Sequence, residues 1–270
     1  MNPKTQQALS AVNRDFYEAV ADEFSATRRD PWPGWERVLA RIEELEPPSP
    51  LEVLDLGCGN GRFASFLCDR WRGDFSYLGV DSSPSLLRIA REAFDGARQI
   101  RFAELDLLPQ DPSQPLTSPS PALPSGPFDL VVLFGLLHHV PGFETRRALL
   151  AEAASRLRPR GLLVVTAWRF GASERFEKRT LDWDSFNRGR SDPIDPEELE
   201  PGDHLLGWAS SALPRYCHFT DRDEMRALLD DLPVRQIHEF DSDGKSGDLN
   251  HYCVLERIAG GSISIPSSTE

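Results

Sequence analysis

The stretch Leu51-Glu-Val-Leu-Asp-Leu-Gly-Cys-Gly-Asn-Gly61 constrains this chain most, because an apolar run passes straight into three alternating glycines. Val53, Leu54 and Leu56 form a short apolar run of the kind buried in a parallel sheet. Gly57, Gly59 and Gly61 then let the backbone turn tightly and approach a ligand where a side chain would intervene. About 20 residues further on, a second apolar run, Tyr77-Leu-Gly-Val80, ends at Asp81 and Ser82, and the Asp81 carboxylate can accept both hydroxyls of a ribose. These segments predict neighbouring strands of an α/β sheet with a nucleoside-type ligand at their carboxyl ends.

The glycine spacing narrows that ligand. Dinucleotide sites use G-x-G-x-x-G so that a helix N-terminus can receive a pyrophosphate, whereas here the glycines alternate and Asp55 precedes them. An acid there would repel a pyrophosphate and attract a cationic amino acid. S-adenosylmethionine carries an ammonium, a sulfonium and a ribose but no phosphate, and on these residues the chain resembles the class I S-adenosylmethionine-dependent methyltransferases. The resemblance implies an α/β, Rossmann-like fold: a mostly parallel seven-stranded sheet with helices on both faces, an N-terminal helical cap and an inserted lid. It also implies a cofactor site built from Asp55, Gly57, Cys58, Gly59, Asn60, Gly61, Asp81 and Ser82.

Two later segments fit the same architecture. Ile100 to Leu107 reads as a third strand ending in Asp106, where the resembling family hydrogen-bonds the adenine amino group, with the Leu107 amide meeting the ring. Phe128 to Phe134 reads as a fourth buried strand, and Phe134, Gly135, Leu136 and His139 would border the methyl donor. Ligands of open α/β sheets sit outside the carboxyl ends of the strands, so all four segments place their polar residues around one pocket.

The remaining chain is organised around that core. Residues 1–46 are expected to form the helical cap, with Val12, Phe16, Val20 and Phe24 on one face and a break at Asp30-Pro-Trp-Pro33. Residues 47–258 form the catalytic domain, with helices after Gly61 and from Ser83 to Phe94. It includes a Pro/Ser-rich loop at 109–127 and a lid insertion at 170–214, whose poor periodicity fits a lid more than another sheet layer. A helix from Glu144 to Leu157 is expected to stop at a turn, Arg158-Pro-Arg-Gly161, before a fifth strand at Leu162 to Thr166. Arg222 to Leu232 reads as helix, Val234 to Phe240 and His251 to Arg257 as a closing antiparallel pair, and 259–270 as a disordered tail.

Composition sets further bounds. No run of 18 or more apolar residues supports a membrane span, and no secretory leader is evident, so a cytoplasmic location is expected. The four cysteines, Cys58, Cys68, Cys217 and Cys253, lack C-x-x-C spacing, which points to reduced thiols and no metal site. The net charge of −13 argues against broad nonspecific nucleic-acid binding, although residues 168–190 carry six basic against four acidic side chains.

The acceptor of the methyl group has to be read from the cap and lid. Tyr17, Phe24-Ser-Ala-Thr-Arg28 and Pro31-Trp-Pro33 resemble the segment before the cofactor domain in tRNA wobble-uridine carboxymethyl methyltransferases. So do Leu137-His-His-Val140, Arg156-Leu-Arg-Pro159, Ala167-Trp168, Gly202-Asp203 with Trp208, and Arg215-Tyr-Cys-His-Phe219, in that order. The closing strand departs from the family, with Leu249-Asn-His-Tyr252 where a Gly-Asn-Trp-like step is usual. The resemblance implies esterification of 5-carboxymethyluridine in the tRNA anticodon loop, and some family members use a small activator protein. Arg28, Arg169 and Arg215 are candidates to orient a carboxylate or bind phosphates. Trp32, Trp168 and Tyr216 could stack on an unpaired base, and Tyr17, His138 and His218 could position substrate. A carboxylate is already ionised at neutral pH, so no general base is expected. Two other readings stay open: a methyltransferase acting on a small-molecule carboxylate, hydroxyl or amine, and a non-catalytic subunit that retains the fold as a scaffold.

Overall fold

The computed structural model describes residues 1–108, 126–172, 174–208 and 211–258. Most of the Pro/Ser-rich loop and all of the tail from Ala259 lie outside the described residues. Helix α1 (Pro3–Ala26) begins where the Asn2 side chain accepts the Thr5 N–H at 2.9 Å, with proline in the first turn. It buries Val12, Phe16 and Val20 along one face. Helix α2 (Pro33–Glu44) follows after the Asp30-Pro-Trp-Pro33 break, as the two prolines require.

The chain continues through β1 (Leu51–Leu56), α3 (Arg62–Arg70), β2 (Phe75–Asp81), α4 (Pro84–Ala93), β3 (Ile100–Glu104), β4 (Phe128–Leu133), α5 (Phe143–Ser155) and β5 (Leu157–Trp168). Short α6 (Glu174–Glu177), β6 (Thr180–Leu181), α7 (Trp183–Asn187), β7 (Asp203–Leu206) and β8 (Arg215–His218) come next. Helix α8 (Arg222–Leu229) and strands β9 (Val234–Ser242) and β10 (Asn250–Arg257) complete the fold.

The main sheet has seven strands in the order β3-β2-β1-β4-β5-β10-β9, parallel except for β10, which runs antiparallel to both β5 and β9. Strand β1 is central and buried on both faces. Leu54 and Leu56 join the core under α5 and α8, while Leu51 and Val53 join the core under α2 and α3. Each fully buried leucine of this kind contributes about 1.5–3 kcal/mol relative to exposure. Strand order reverses between β1 and β4, which places the expected crevice at the carboxyl ends of β1, β2 and β4.

Three local expectations change. Strand β3 stops at Glu104, so Asp106 stands in the following loop. Helix α5 ends at Ser155, and Arg158-Pro-Arg-Gly161 lies within β5 instead of forming a free turn. The β4–β5 ladder absorbs it as a register shift between Phe128 and Leu130, with Arg160 at φ +68°. The lid segment contains a second, antiparallel sheet in the order β6-β7-β8, whose last strand lies beyond Pro214. Strands of two and four residues are too short to show an alternating pattern, and all four residues of β8 are buried.

A buried charge network fastens this small sheet to the main domain. Arg146 of α5, 1% exposed, donates to Glu200 and Glu224, each at 2.6 Å. His218 of β8 bridges Asp203 at 2.7 Å and Glu224 at 2.9 Å. Burial opposes protonation of His218, but the hydrogen bonds to the two carboxylates outweigh it and its pKa is raised. Helix α1 packs on both α4 and β8, so cap, sheet and lid close around one space.

Candidate active site

That space is a cavity of about 1060 Å³ at the carboxyl ends of β1, β2 and β4, roofed by α1 and the lid. Gly57, Cys58, Gly59 and Asn60 line it at the end of β1, and Gly57 and Gly59 take φ of +77° and +55°. A Cβ on Gly59 would meet nothing within 4 Å and would project into ground a ligand could use. Gly61 is not on the wall. It caps α3 at φ +77°, close against Phe102, Phe94 and Ala90, and its role is to let the helix pack.

The acids on the wall differ in their commitments. Asp81 Oδ2 accepts the Gly59 N–H at 2.8 Å and Oδ1 accepts the Ser83 N–H at 2.9 Å, so it braces the glycine loop and the start of α4 together. Burial raises its pKa against those bonds. Asp55, 2% exposed, accepts from the Tyr77 hydroxyl at 2.6 Å through Oδ2, while its Oδ1 has no partner among the described residues. Burial pushes its pKa up to about 7; the Tyr77 hydrogen bond pulls it down and the Asp81 charge pushes it up. Asp106 pairs with Arg14 of α1 at 3.2 Å and accepts the Leu108 N–H at 3.0 Å. Ser82, Leu107, Phe134, Gly135 and Leu136 also line the cavity.

A second group of residues forms the far wall. Trp32 lies over Gly135, its Cη2 3.3 Å from where a Cβ would stand. His139 accepts from the Tyr17 hydroxyl at 2.7 Å through Nε2 and donates from Nδ1 to the Tyr216 carbonyl at 2.8 Å. Burial and the nearby Arg215 charge push its pKa down to about 3, so it is neutral. His138 is lowered too, chiefly by burial, and its buried Nδ1 has no partner. Arg215, 6% exposed, lies 4.9 Å from the centre of the Trp168 ring and 5.7 Å from that of Phe16. No carboxylate among the described residues forms an ion pair with it, and its Nε has no hydrogen-bond acceptor.

Three residues expected at the substrate stand off the wall. Arg169 is drawn away by Asp241 at 2.9 Å and by the Asp248 carbonyl at 3.1 Å. Tyr216 is fully buried and donates to Asp203 at 2.6 Å, and His218 is held between Asp203 and Glu224. The structure adds cavity residues the sequence did not single out: Asn13, Arg14 and Glu18 of α1, Trp35, Arg62, Arg179 and Lys245. Among the described residues two clusters have a metal-like donor set, His138 with His139 and Cys217, and Glu200 with Asp203 and His218, and each holds donors that are already engaged. His139 has both ring nitrogens bonded, and Arg146 already supplies the cation beside Glu200 and His218.

Residues 54–163 match the family model of a methyltransferase domain. This chain carries a methyltransferase domain. Its fold is that of the class I S-adenosylmethionine-dependent methyltransferases. A SAM-dependent methyltransferase from Methanosarcina mazei gives a TM-score of 0.60 at 17% identity, covering 85% of this chain and 99% of that one. The tRNA (carboxymethyluridine(34)-5-O)-methyltransferase of Mus musculus is 32% identical over 154 residues, which is 56% of this chain and 19% of the mouse protein. The trans-aconitate 2-methyltransferase of Azoarcus sp. (strain BH72) is 31% identical over 149 residues, covering 55% of this chain and 47% of that enzyme. The chain therefore spans only part of either relative's length. No helix among its described residues is long and apolar enough to cross a membrane.

The cavity fits the cofactor of that fold. The open ground at Gly59, the Asp55 oxygen without a partner among the described residues and the Asp81 carboxylate at the end of β2 have the chemistry that would hold its methionine tail, ammonium and ribose in turn. Leu86, Leu107 and Leu136 give an apolar wall to which an adenine ring is suited.

Proposed function

We propose that this chain uses S-adenosylmethionine to esterify a carboxylate, and that the acceptor is the 5-carboxymethyl group of a wobble uridine in tRNA. The observation that carries the reading is Arg215, a buried guanidinium on the cavity wall that pairs with no carboxylate among the described residues. A fork of donors already fixed by Trp168 and Phe16 suits a planar carboxylate. When bound, the cofactor supplies an electrophilic methyl on sulfonium; a carboxylate oxygen takes it as the C–S bond breaks, giving an ester and a neutral thioether with no proton to move. Neutral His138 and His139 are consistent with such chemistry, because it requires no base. Orientation is the main contribution left to the chain, and alignment of two bound reactants can supply about 7–11 kcal/mol.

Support for RNA comes from the relatives named for carboxymethyluridine and from cations that reach the wall from several elements: Arg14 and Arg28 of the cap, Arg62 of α3, Arg179 of the lid, Arg215 of β8, and Lys245 of the β9–β10 loop. Trp32 and Trp168 offer faces for an unpaired base. A small-molecule carboxylate is the second reading, favoured by the net charge of −13 and by the trans-aconitate relative. A small activator protein and a cytoplasmic location belong to the first reading. The test is transfer of labelled methyl to bulk tRNA from cells lacking this protein, with and without candidate activators, followed by nucleoside analysis. The carboxymethyluridine methyl ester is the expected product; labelling of tricarboxylates alone would replace the RNA reading with the second.

The Asp55 carboxyl makes a pH prediction. With its pKa near 7, it is largely protonated at pH 5.5 and must ionise to pair with the ligand ammonium. Cofactor affinity should therefore rise between pH 5.5 and 7, by up to about tenfold per unit well below the pKa, with proton release on binding. Calorimetry in buffers of different ionisation enthalpy reads that proton directly. In Asp55→Asn the release should vanish, and an unchanged release would assign the proton elsewhere.

A further inference from the structure

Two of the cations on the cavity wall form separate poles, and Arg215 is only one of them. The other is Arg62, the first residue of α3, immediately after the glycine loop. Its guanidinium lies 5.1 Å from the Trp32 ring centre and 5.2 Å from that of Trp35, and it donates to the Asp30 carbonyl at 3.3 Å. It forms no ion pair with a carboxylate among the described residues. Asp243, a buried acid whose charge reaches it, is committed to the Gly34 N–H, Asn250 and Tyr252 at 2.6–2.8 Å. Beside it, Trp35 lines the cavity at 2% exposure, with an indole N–H that has no acceptor among the described residues. Two donors without an anionic acceptor meet on one stretch of wall.

Burial and then the Arg28 charge lower the Arg62 pKa to about 10. The field of Arg215, in contrast, acts on Tyr17, His138 and His139. The poles thus belong to different walls, Arg62 beside α2 and α3 and Arg215 beside α1 and the lid.

A carboxylate methylation brings two carboxylates into one cavity, one on the acceptor and one on the methionine portion of the cofactor. We propose that Arg62, assisted by Arg28 and the Trp35 indole N–H, receives the methionine carboxylate, leaving Arg215 to the acceptor. The ammonium and carboxylate of methionine share one carbon, so their partners must share one part of the wall. Asp55 alternates with Leu51 and Val53 on the face of β1 that α2 and α3 cover, the same side as Trp35 and Arg62. Trp32 and Trp35 hold the guanidinium before the ligand arrives, which reduces the ordering cost of binding.

The assignment rests on the reading of this cavity as a cofactor site, and its test separates the two. Calorimetry would compare S-adenosylhomocysteine with 5′-methylthioadenosine, which keeps the adenosine and thioether but lacks the amino acid. Arg62→Gln is expected to weaken S-adenosylhomocysteine binding by about 10- to 100-fold and leave 5′-methylthioadenosine unchanged, with partial recovery in Arg62→Lys. Arg28→Gln should show a smaller loss of the same kind. Equal weakening of both ligands, or of neither, would overturn the role of Arg62. So would unchanged S-adenosylhomocysteine binding with a raised KM for the acceptor, because the pole would then serve the substrate. If the unmodified protein bound neither ligand, the cofactor reading itself would fall. Should Arg62→Gln not fold, as judged by its thermal melt, the Arg62→Lys comparison decides.

Discussion

Asp81→Ala is expected to lower affinity for S-adenosylhomocysteine by at least about 100-fold, roughly 3 kcal/mol, the value of one or two hydrogen bonds to a charged group. The carboxylate has two tasks in this geometry. Each oxygen already holds one backbone N–H, of Gly59 or of Ser83, and each retains a lone pair for a ribose hydroxyl. Alanine removes the ribose acceptors and also releases two N–H groups that keep the glycine loop and α4 in register. Asp81→Asn keeps one acceptor oxygen and should lose less. Calorimetry with S-adenosylhomocysteine and with adenosine measures the effect, and both ligands should weaken because the lost contacts are to the ribose. Retained affinity in Asp81→Ala would remove the ribose from the end of β2 and move the cofactor elsewhere in the cavity.

The glycine loop and acids of this cavity were legible in the sequence because their signals are local. Alternating glycines after an apolar strand, and an acid at the end of the next strand, follow from backbone geometry within about 30 residues. The cations of the wall and the lid depend on tertiary contacts. Arg62, as the first helical residue after a glycine turn, looks like a solvated surface side chain. Only the arrival of Trp32, just before α2, and of Trp35 within it encloses the guanidinium. In β8 the resemblance singled out Arg215, Tyr216 and His218 together, yet alternation along a strand sends Arg215 to one face and Tyr216 and His218 to the other. The structure shows that division: Arg215 meets Trp168, while Tyr216 and His218 both bond Asp203. Arg169 was unreadable for another reason, since Asp241 comes from β9, 72 residues later. The small β6-β7-β8 sheet was missed because strands this short carry no usable period.

Arg215→Ala is expected to reduce kcat/KM for the acceptor by about 10²- to 10³-fold, near 3–4 kcal/mol, while affinity for S-adenosylhomocysteine stays close to that of the unmodified protein. The magnitude follows from the position. A guanidinium this buried, placed between aromatic rings and without a counter-ion among the described residues, has been desolvated in advance, so an arriving carboxylate gains most of the charge-assisted hydrogen bonding. It also sets direction. A fork that engages one side of the carboxylate leaves the other oxygen to face the methyl, and misplacement by about 1 Å can cost roughly 100-fold. Arg215→Lys should recover binding more than turnover, because ammonium restores charge without the planar fork. Loss confined to KM in Arg215→Ala would make the residue an anchor for binding alone, whereas loss in kcat as well would make it an aligning residue. A variant with full acceptor kinetics would exclude Arg215 from the acceptor site. It would leave Arg28, Arg179 and Lys245 as the cavity cations to test next, and shift the acceptor toward the rim of the lid.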